Sequence, residues 1–462
     1  MDGTRDAEGL AAAARLRRFA VEAAEAHGFI EDVARAGLLA DSKAALEASA
    51  GSATRRDDGD RGNESSVGVT LSSSLSLSFD VPPERPLEVL ADYRLDCDGS
   101  GSCCRLFPTI VFTPRDVASA RAVLPDVMSA GHDEQGAFTP SQGSRHQLSV
   151  VTLVDGRCGY LEPSGRCGIH AASAASWKPF GCRTFPLSFV DDGTSVRVVP
   201  RPECACVPRS ARVEGTVGTA GPPGGGGGVS AMAGEALLGG GLRTRGDLAL
   251  EAFVHAVPDP VPLAEGTFAP RDALARWSRH VAGLATPDAA AAFASLAASV
   301  EERGLDEARA AELMATPTPL DWEQIRHRLE TIRASSAKRA DDGFRSGRDL
   351  AQQAFIALET ACALALAAPP LFTGGPRSER EAGAEAFHLR ATIFGHLVWH
   401  LEGTTDLAEG LHALSARVIA ARALGAVAEI GELSDPAFTW PLSLVEAMCR
   451  GYSLEAPEAH AD

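Results

Sequence analysis

The sequence predicts an α+β protein, in which a small cysteine-rich domain precedes a mostly α-helical C-terminal domain. Three observations carry that expectation. Eight of the ten cysteines fall between Cys97 and Cys206. Short runs of period-two alternation surround them, as half-buried strands require. Beyond residue 245, apolar residues recur at helical spacing behind capping side chains. The chain therefore divides into N-terminal helices over 1–50, a linker and lead-in strand over 51–85, a cysteine-cluster domain over 86–210, a Gly-rich linker over 211–244, and an all-helical domain over 245–462.

Residues 5–49 are Ala-rich and carry Leu16, Phe19, Val21, Phe29, Ile30, Val33, Leu38 and Leu39, which suits one or two helices. Residues 51–66 hold almost no apolar side chain and have the composition of a disordered linker. Leu75, Leu77 and Phe79 then alternate with serines, as a strand would. Within the cysteine region a strand is expected over Leu106–Phe112, and a helix over Pro114–Leu124 with Thr113 as its cap and Pro at its first position. A further strand is expected over Leu148–Val154, and a hairpin that turns at Asp191-Asp192-Gly193 between Phe189 and Val196–Val199. Residues 215–241 are Gly-rich, but no Gly-Lys-Ser/Thr follows them, so they read as a flexible linker rather than a phosphate loop. Asp321 with Gln324 and Asp406 with Glu409 have capping-box spacing. The apolar stripes Ile325, Leu329, Ile332 and Leu411, Leu414, Val418 follow them, as in an all-α bundle.

Composition excludes some partners. The 61 Asp and Glu outnumber the 43 Lys and Arg, for a net charge of -18. Nucleic acid and anionic membrane surfaces require a basic face, so neither is expected. The charged start of the chain is not a secretory signal. The apolar run Ala354–Ala368 is short for a membrane span and is broken by Glu359, so it reads as a buried helix. These points lead to a cytoplasmic expectation. In that compartment clustered cysteines more often bind metal or do redox chemistry than form structural disulfides.

Thiolates suit soft metals, and short loops can gather several of them at one place. The expected metal ligands are Cys97, Cys103, Cys104, Cys158, Cys167, Cys182, Cys204 and Cys206. The vicinal pair Cys103-Cys104 cannot readily place both sulfurs on one tetrahedral ion. It points to a larger cluster, or to one ligand beside one packed thiol. Arg183 is a candidate to hold an anionic group or neutralise a thiolate cluster, against a plain salt bridge. His170, three residues after Cys167, has ligand spacing but more often such a His is structural. His388, His396 and His400 could share a helix face and are read as partly buried polar residues. Cys362 and Cys449 read as apolar packing.

The order Cys, Cys-Cys, Gly156-Arg-Cys-Gly-Tyr-Leu161, Gly165-Arg-Cys-Gly-Ile-His170 and Lys178-Pro-Phe-Gly-Cys-Arg-Thr-Phe-Pro186 resembles the YkgJ-type cysteine-cluster family. That family is described as zinc- or iron-chelating and includes flagellin lysine N-methylases of the FliB kind. The match covers roughly residues 94–190. Its usual opening, Cys-x-x-Cys-x-x-Cys-Cys, has Ser100 here at the second position, so six cysteines carry over: Cys97, Cys103, Cys104, Cys158, Cys167 and Cys182. Cys204 and Cys206 are expected to compensate for the missing thiol. The resemblance implies a zinc or iron–sulfur centre. Its FliB branch implies S-adenosylmethionine as methyl donor and a lysine-bearing protein substrate such as flagellin. No Rossmann glycine loop or Cys-x3-Cys-x2-Cys signature accompanies it, and no base for the lysine is evident. A structural zinc interaction module and an iron–sulfur electron-transfer protein are the alternative functions.

Overall fold

The computed structural model describes residues 82, 84–90, 100–107, 110–123, 138–140, 149–151, 153–154, 157–172, 178–179, 181–182, 185–210, 254–341, 350–373, 377–400, 404–452 and 454. The expected N-terminal helices, the 51–66 linker, the strand at 75–79 and the Gly-rich linker lie outside the described residues, as do Cys97 and Arg183.

The α+β expectation holds, and its organising sheet comes from the cysteine region. Strands β1 (Leu87–Val89), β7 (Leu187–Asp191), β8 (Val196–Pro200) and β9 (Val254–Ala256) form one sheet in the order β1-β8-β7-β9. β7 and β8 are the predicted antiparallel hairpin, paired from Leu187↔Pro200 to Asp191↔Val196. Its turn uses Gly193 at φ 85°, a conformation that costs glycine nothing. Every residue of both strands is buried. Leu187, Phe189, Val196 and Val198 line one face, and Val190 and Val199 join the helical core on the other.

The region expected to be all-helical from 245 therefore begins differently. It opens with three strands, of which β9 pairs in parallel with β7, and β10 (Val261–Ala264) and β11 (Thr267–Ala269) form a hairpin. A parallel pairing across more than sixty residues leaves no local signature, because neither a turn nor a self-contained alternation announces it.

Three short strands, β2 (Val111–Phe112), β3 (Phe138–Pro140) and β4 (Ser149–Val151), form a second sheet in the order β2-β4-β3, and β5 (Leu153–Val154) pairs with β6 (Arg157–Cys158). The expected strand over Leu106–Phe112 is instead the end of a helix, Ser102–Leu106, followed by β2. Pro108 explains the break: the residue before a proline is pushed out of the α region, and Phe107 is extended at φ -87°, ψ 121°. The helix Pro114–Val123 forms as expected. Its cap is reciprocal, since Thr113 Oγ1 accepts from Asp116 N at 3.1 Å and Thr113 N donates to Asp116 Oδ2 at 3.0 Å.

Beyond β11 the chain is helical, with long helices at Arg271–Ala282, Ala289–Arg303, Trp322–Asp341, Leu350–Ala367, Glu379–Phe394, Leu407–Ile430 and Pro441–Tyr452. Ile325, Leu329 and Ile332 are fully buried, as their stripe predicts. Asp406 caps its helix by accepting from Glu409 N at 2.9 Å, although Glu409 reaches back to Thr405 N rather than closing on Asp406. Leu350–Ala367 is long and apolar enough, by length and composition, to cross a membrane. In this fold 67% of it is buried, packed on the helices Trp322–Asp341 and Leu407–Ile430. That matches the buried-helix expectation for the run around Ala354–Ala368.

Besides the small cluster on the outer face of the hairpin, two cores of different size hold the described cysteines other than Cys103. The larger joins Val190, Val199, Cys204, Cys206 and Val207 to the helices. The smaller gathers Ile110, Phe112, Phe138, Val151, Cys158, Tyr160, Leu161 and Ile169, with Cys104, Cys167 and Cys182 packed against it.

Candidate metal centre

The thiols of the smaller core sit on tight turns, which local hydrogen bonds hold. Gly101 caps the helix carrying Cys103 and Cys104 from a left-handed conformation, φ 68°, and its carbonyl accepts from Cys104 N at 3.0 Å. Leu161 N donates to Cys158 O at 2.9 Å, Ala171 N to Cys167 O at 3.0 Å, and Phe185 N to Gly181 O at 3.0 Å. Glycines let these turns approach one another. A Cβ on Gly101 would lie 2.8 Å from both Gly165 O and Leu161 Cδ1, so the Cys103 turn rests on the loop between Cys158 and Cys167. A Cβ on Gly181 would lie 2.7 Å from Val111 O, so the Cys182 turn rests on β2. Close backbone approach is what each glycine supplies.

Four thiols come within electrostatic reach of one another. Burial pushes the Cys158 thiol up to about 12; the neighbouring Cys167 and Cys103 add to the rise, and a hydrogen bond from the Tyr160 backbone N–H opposes it. Cys182 is raised well above an ordinary thiol, first by burial and then by Cys158, Cys167 and Cys103, with Lys178 opposing. Burial and mutual repulsion disfavour ionising these thiols together, a penalty that a bound cation would lower. Cys103 Sγ and Cys104 Sγ are 3.9 Å apart, and Cys104, unlike Cys103, packs against the small apolar core.

The donors fit a soft metal in kind: several thiols of the cluster line one small core, Cys158 within it and Cys104, Cys167 and Cys182 packed against it. In position they are gathered but not closed. Among the described residues, no three His, Cys, Asp or Glu side chains stand at metal-holding geometry. Cys204 and Cys206, expected to compensate for the thiol missing at Ser100, are buried in the larger core instead, at 8% and 6% exposure. Ser100 Oγ lies 2.9 Å from Ser102 Oγ at the start of the cysteine helix. His170 falls in the helix Gly168–Ala172, and its side chain lies outside the described residues, as does that of His400.

His388 and His396 do not share a helix face, because the helix ends at Phe394 and Gly395 lays its backbone against Val199 of β8. His396 follows in a left-handed conformation at φ 50°. Its Nε2 lies 3.8 Å from Asp192 Oδ2, whereas His388 Nε2 lies 3.4 Å from Glu446 Oε1. Burial holds both imidazoles below their ordinary range. Cys362 and Cys449 are buried in the larger core, as apolar packing predicts.

The sequence reading passed over the ionic joints between hairpin and helices. Asp192, read there as a turn residue, accepts from Arg197 Nε at 2.6 Å, Ser195 N at 2.7 Å and Thr194 N at 2.8 Å. Burial alone would raise its carboxyl, but His396 and the Arg197 guanidinium hold it well below the carboxylate range. Arg197 continues to Glu88 at 3.0 Å and to Ala275 O at 3.2 Å, and Arg279 of the same helix clasps Glu88. A second joint sets Glu203 against Arg201 at 3.0 Å and Arg450 at 2.6 Å; these charges outweigh burial and lower Glu203 to about 2. A third is bidentate: Arg105, next to Cys104, grips Asp435 at 2.6 and 3.2 Å and ties the cysteine helix to the helical body. An arginine inside a strand of otherwise apolar residues, as in Val196-Arg-Val-Val-Pro200, was the available signal for the first joint.

Comparison with protein-family models, with curated proteins and with solved structures returned no match.

Proposed function

We propose that the chain holds a thiolate-ligated metal centre, zinc or an iron–sulfur cluster, through Cys103, Cys158, Cys167 and Cys182. Cys97 and Cys104 are further donors implied by the resemblance to the YkgJ-type family. The observation that supports the reading is that Cys158, with Cys104, Cys167 and Cys182 packed against the same small core and Cys103 Sγ 3.9 Å from Cys104 Sγ, gathers thiols from segments as far apart as Cys103 and Cys182. Such a centre would supply folding energy to a small core that has little apolar area of its own. With iron it would also supply a redox couple. The chain's part is to present the thiols on glycine-tightened turns, to exclude water around Cys158, and to stabilise one thiolate through the Tyr160 N–H.

The test is metal and sulfide analysis with an absorption spectrum, on protein purified without oxygen. Bound zinc without colour, or iron and sulfide with a broad visible band, supports the centre and decides its kind. Metal content should fall sharply in Cys158→Ser and Cys182→Ser and persist in Cys362→Ser. Absence of metal from the unsubstituted protein, with no uptake on reconstitution, overturns the proposal. Resemblance to the FliB-like proteins extends it to methyl transfer from S-adenosylmethionine to a protein lysine, and that extension rests on the motif alone. Such chemistry needs a neutral amine in place of one with pKa about 10.4, so label transfer rising with pH is its signature. A lack of S-adenosylmethionine binding by the metal-loaded protein removes the extension and leaves the centre standing.

A further inference from the structure

A group of buried polar side chains lies within the larger core and takes no part in the proposed centre. Glu203, His388 and Glu446 are each 2% exposed or less. They come from the segment after β8, the helix Glu379–Phe394 and the helix Pro441–Tyr452. One oxygen of each carboxylate is already engaged. Glu203 Oε1 meets Arg201 at 3.0 Å and Arg450 Nε at 2.6 Å, and Glu446 Oε2 accepts from Arg417 at 2.8 Å. The other oxygens, Glu203 Oε2 and Glu446 Oε1, are buried and have no hydrogen-bond partner, and the same holds for His388 Nε2 and Arg450 Nη1. His388 Nε2 and Glu446 Oε1 stand only 3.4 Å apart. Ser443, Glu446 and Arg450 recur at i, i+3 and i+7, so they share one helix face. Ser443 Oγ donates to Cys204 O at 3.4 Å and sets that face on the segment of Glu203. In keeping with this convergence, the charges of Glu203 and Glu446 act on both His388 and Arg450.

A buried polar atom without a partner costs free energy, and native interiors meet that cost by supplying one. The chemistry of the four atoms selects it. The two carboxylate oxygens need a donor, Arg450 Nη1 needs an acceptor, and the ring nitrogen takes either role by its tautomer. A cation offers no acceptor and would stand among the guanidiniums of Arg201, Arg417 and Arg450. An anion offers no donor and would stand against two carboxylates. Arg417 and Arg450 balance Glu203 and Glu446, so the partner is neutral and both donates and accepts. We infer that this junction is a binding site for an internal water, which donates to Glu203 Oε2 and Glu446 Oε1, accepts from Arg450 Nη1 and bonds His388 Nε2. Two to four bonds to buried polar groups are the usual complement of such a water. It fastens the C-terminal helix and the helix of His388 to the segment that leaves the β7–β8 hairpin.

The experiment is a crystal structure of the full chain at a resolution that shows ordered solvent, with denaturant unfolding of two variants beside it. The expected result is a solvent peak within about 3.2 Å of Glu203 Oε2, Glu446 Oε1 and Arg450 Nη1. Direct pairing among these side chains with no peak between them overturns the inference. So does a peak with the anomalous signal of a metal or a halide. His388→Phe removes both ring nitrogens and keeps an aromatic ring against Phe293, whose centroid lies 5.7 Å from that of His388. Thr392→Val is its control, because Thr392 Oγ1 is the neighbour of His388 Nδ1 at 3.5 Å. If the water bonds Nε2, the unfolding midpoint should fall in His388→Phe by more than in Thr392→Val. An unchanged or raised midpoint in His388→Phe would mean that carbon has replaced an atom that bonded nothing, and the role of His388 is overturned. Equal falls in the two variants overturn it as well, since the Nδ1 contact would then account for the loss.

Discussion

The small cysteine core and the large helical core solve the same problem with different means. The helical core buries Phe293, Phe355, Leu296, Leu329, Ile332 and Met314 almost completely, and its long helices bring many such side chains to one place. At about 25 cal/mol per Å² of apolar surface removed from water, that burial is ample to order the helices. The cysteine core has two- and three-residue strands, one short aromatic stack and thiols at its edge. Strands so short are marginal by themselves. The contrast teaches that the helical body can fold on apolar burial, whereas the cysteine region leans on its neighbours and, in the function proposed above, on a metal.

That difference can be broken or sharpened by experiment, and the largest effect should come from metal removal. Chelation should abolish hydrogen-exchange protection over 100–107, 110–123 and 157–172 while the long helices between Arg271 and Tyr452 keep theirs. Structural zinc supplies about 10–16 kcal/mol in zinc-finger peptides at neutral pH, so loss of protection there should be near complete. Equal loss in both regions would mean that the two cores form one cooperative unit.

A smaller effect, of opposite location, is expected from Phe293→Ala. Emptying this fully buried site should cost about 3–5 kcal/mol in denaturant unfolding, with metal uptake unchanged in the folded fraction. Gly101→Ala should act on the other side. A left-handed alanine costs about 1–2 kcal/mol, and its Cβ must also displace Gly165 O and Leu161 Cδ1. Metal affinity should fall with little change in helical stability.

The last prediction probes the joint between the two regions through pH. His255 of β9 is held at about 3 instead of 6.5, by desolvation first and then by Arg201 and Arg450. The neutral imidazole is therefore the folded form, and between about pH 3 and 6.5 the unfolded chain carries the extra proton. Its contribution is complete above 6.5 and is lost as pH falls through that window. His255→Gln should flatten the acid slope of stability by up to about 1.4 kcal/mol per pH unit, read from unfolding curves between pH 4 and 7. An unchanged slope would place the acid sensitivity in other buried imidazoles, His388 and His396 among them.

What a reader of the sequence can recover follows physical range. The helix Pro114–Val123 and its Thr113 cap, the β7–β8 hairpin and the Ile325, Leu329, Ile332 stripe depend on side chains a few residues apart, so spacing alone reveals them. That eight of the ten cysteines fall in one stretch is likewise read directly from the sequence. By contrast, β9 joins the sheet by parallel pairing with β7, Cys204 and Cys206 turn into the larger core, and His396 meets Asp192 rather than His388. Each of these depends on segments far apart in the chain, where no local rule selects one partner over another. Tyr160 shows the same limit at a single atom: its place in a cysteine phrase is legible, but that its hydroxyl is buried and without a hydrogen-bond partner is decided only by tertiary packing.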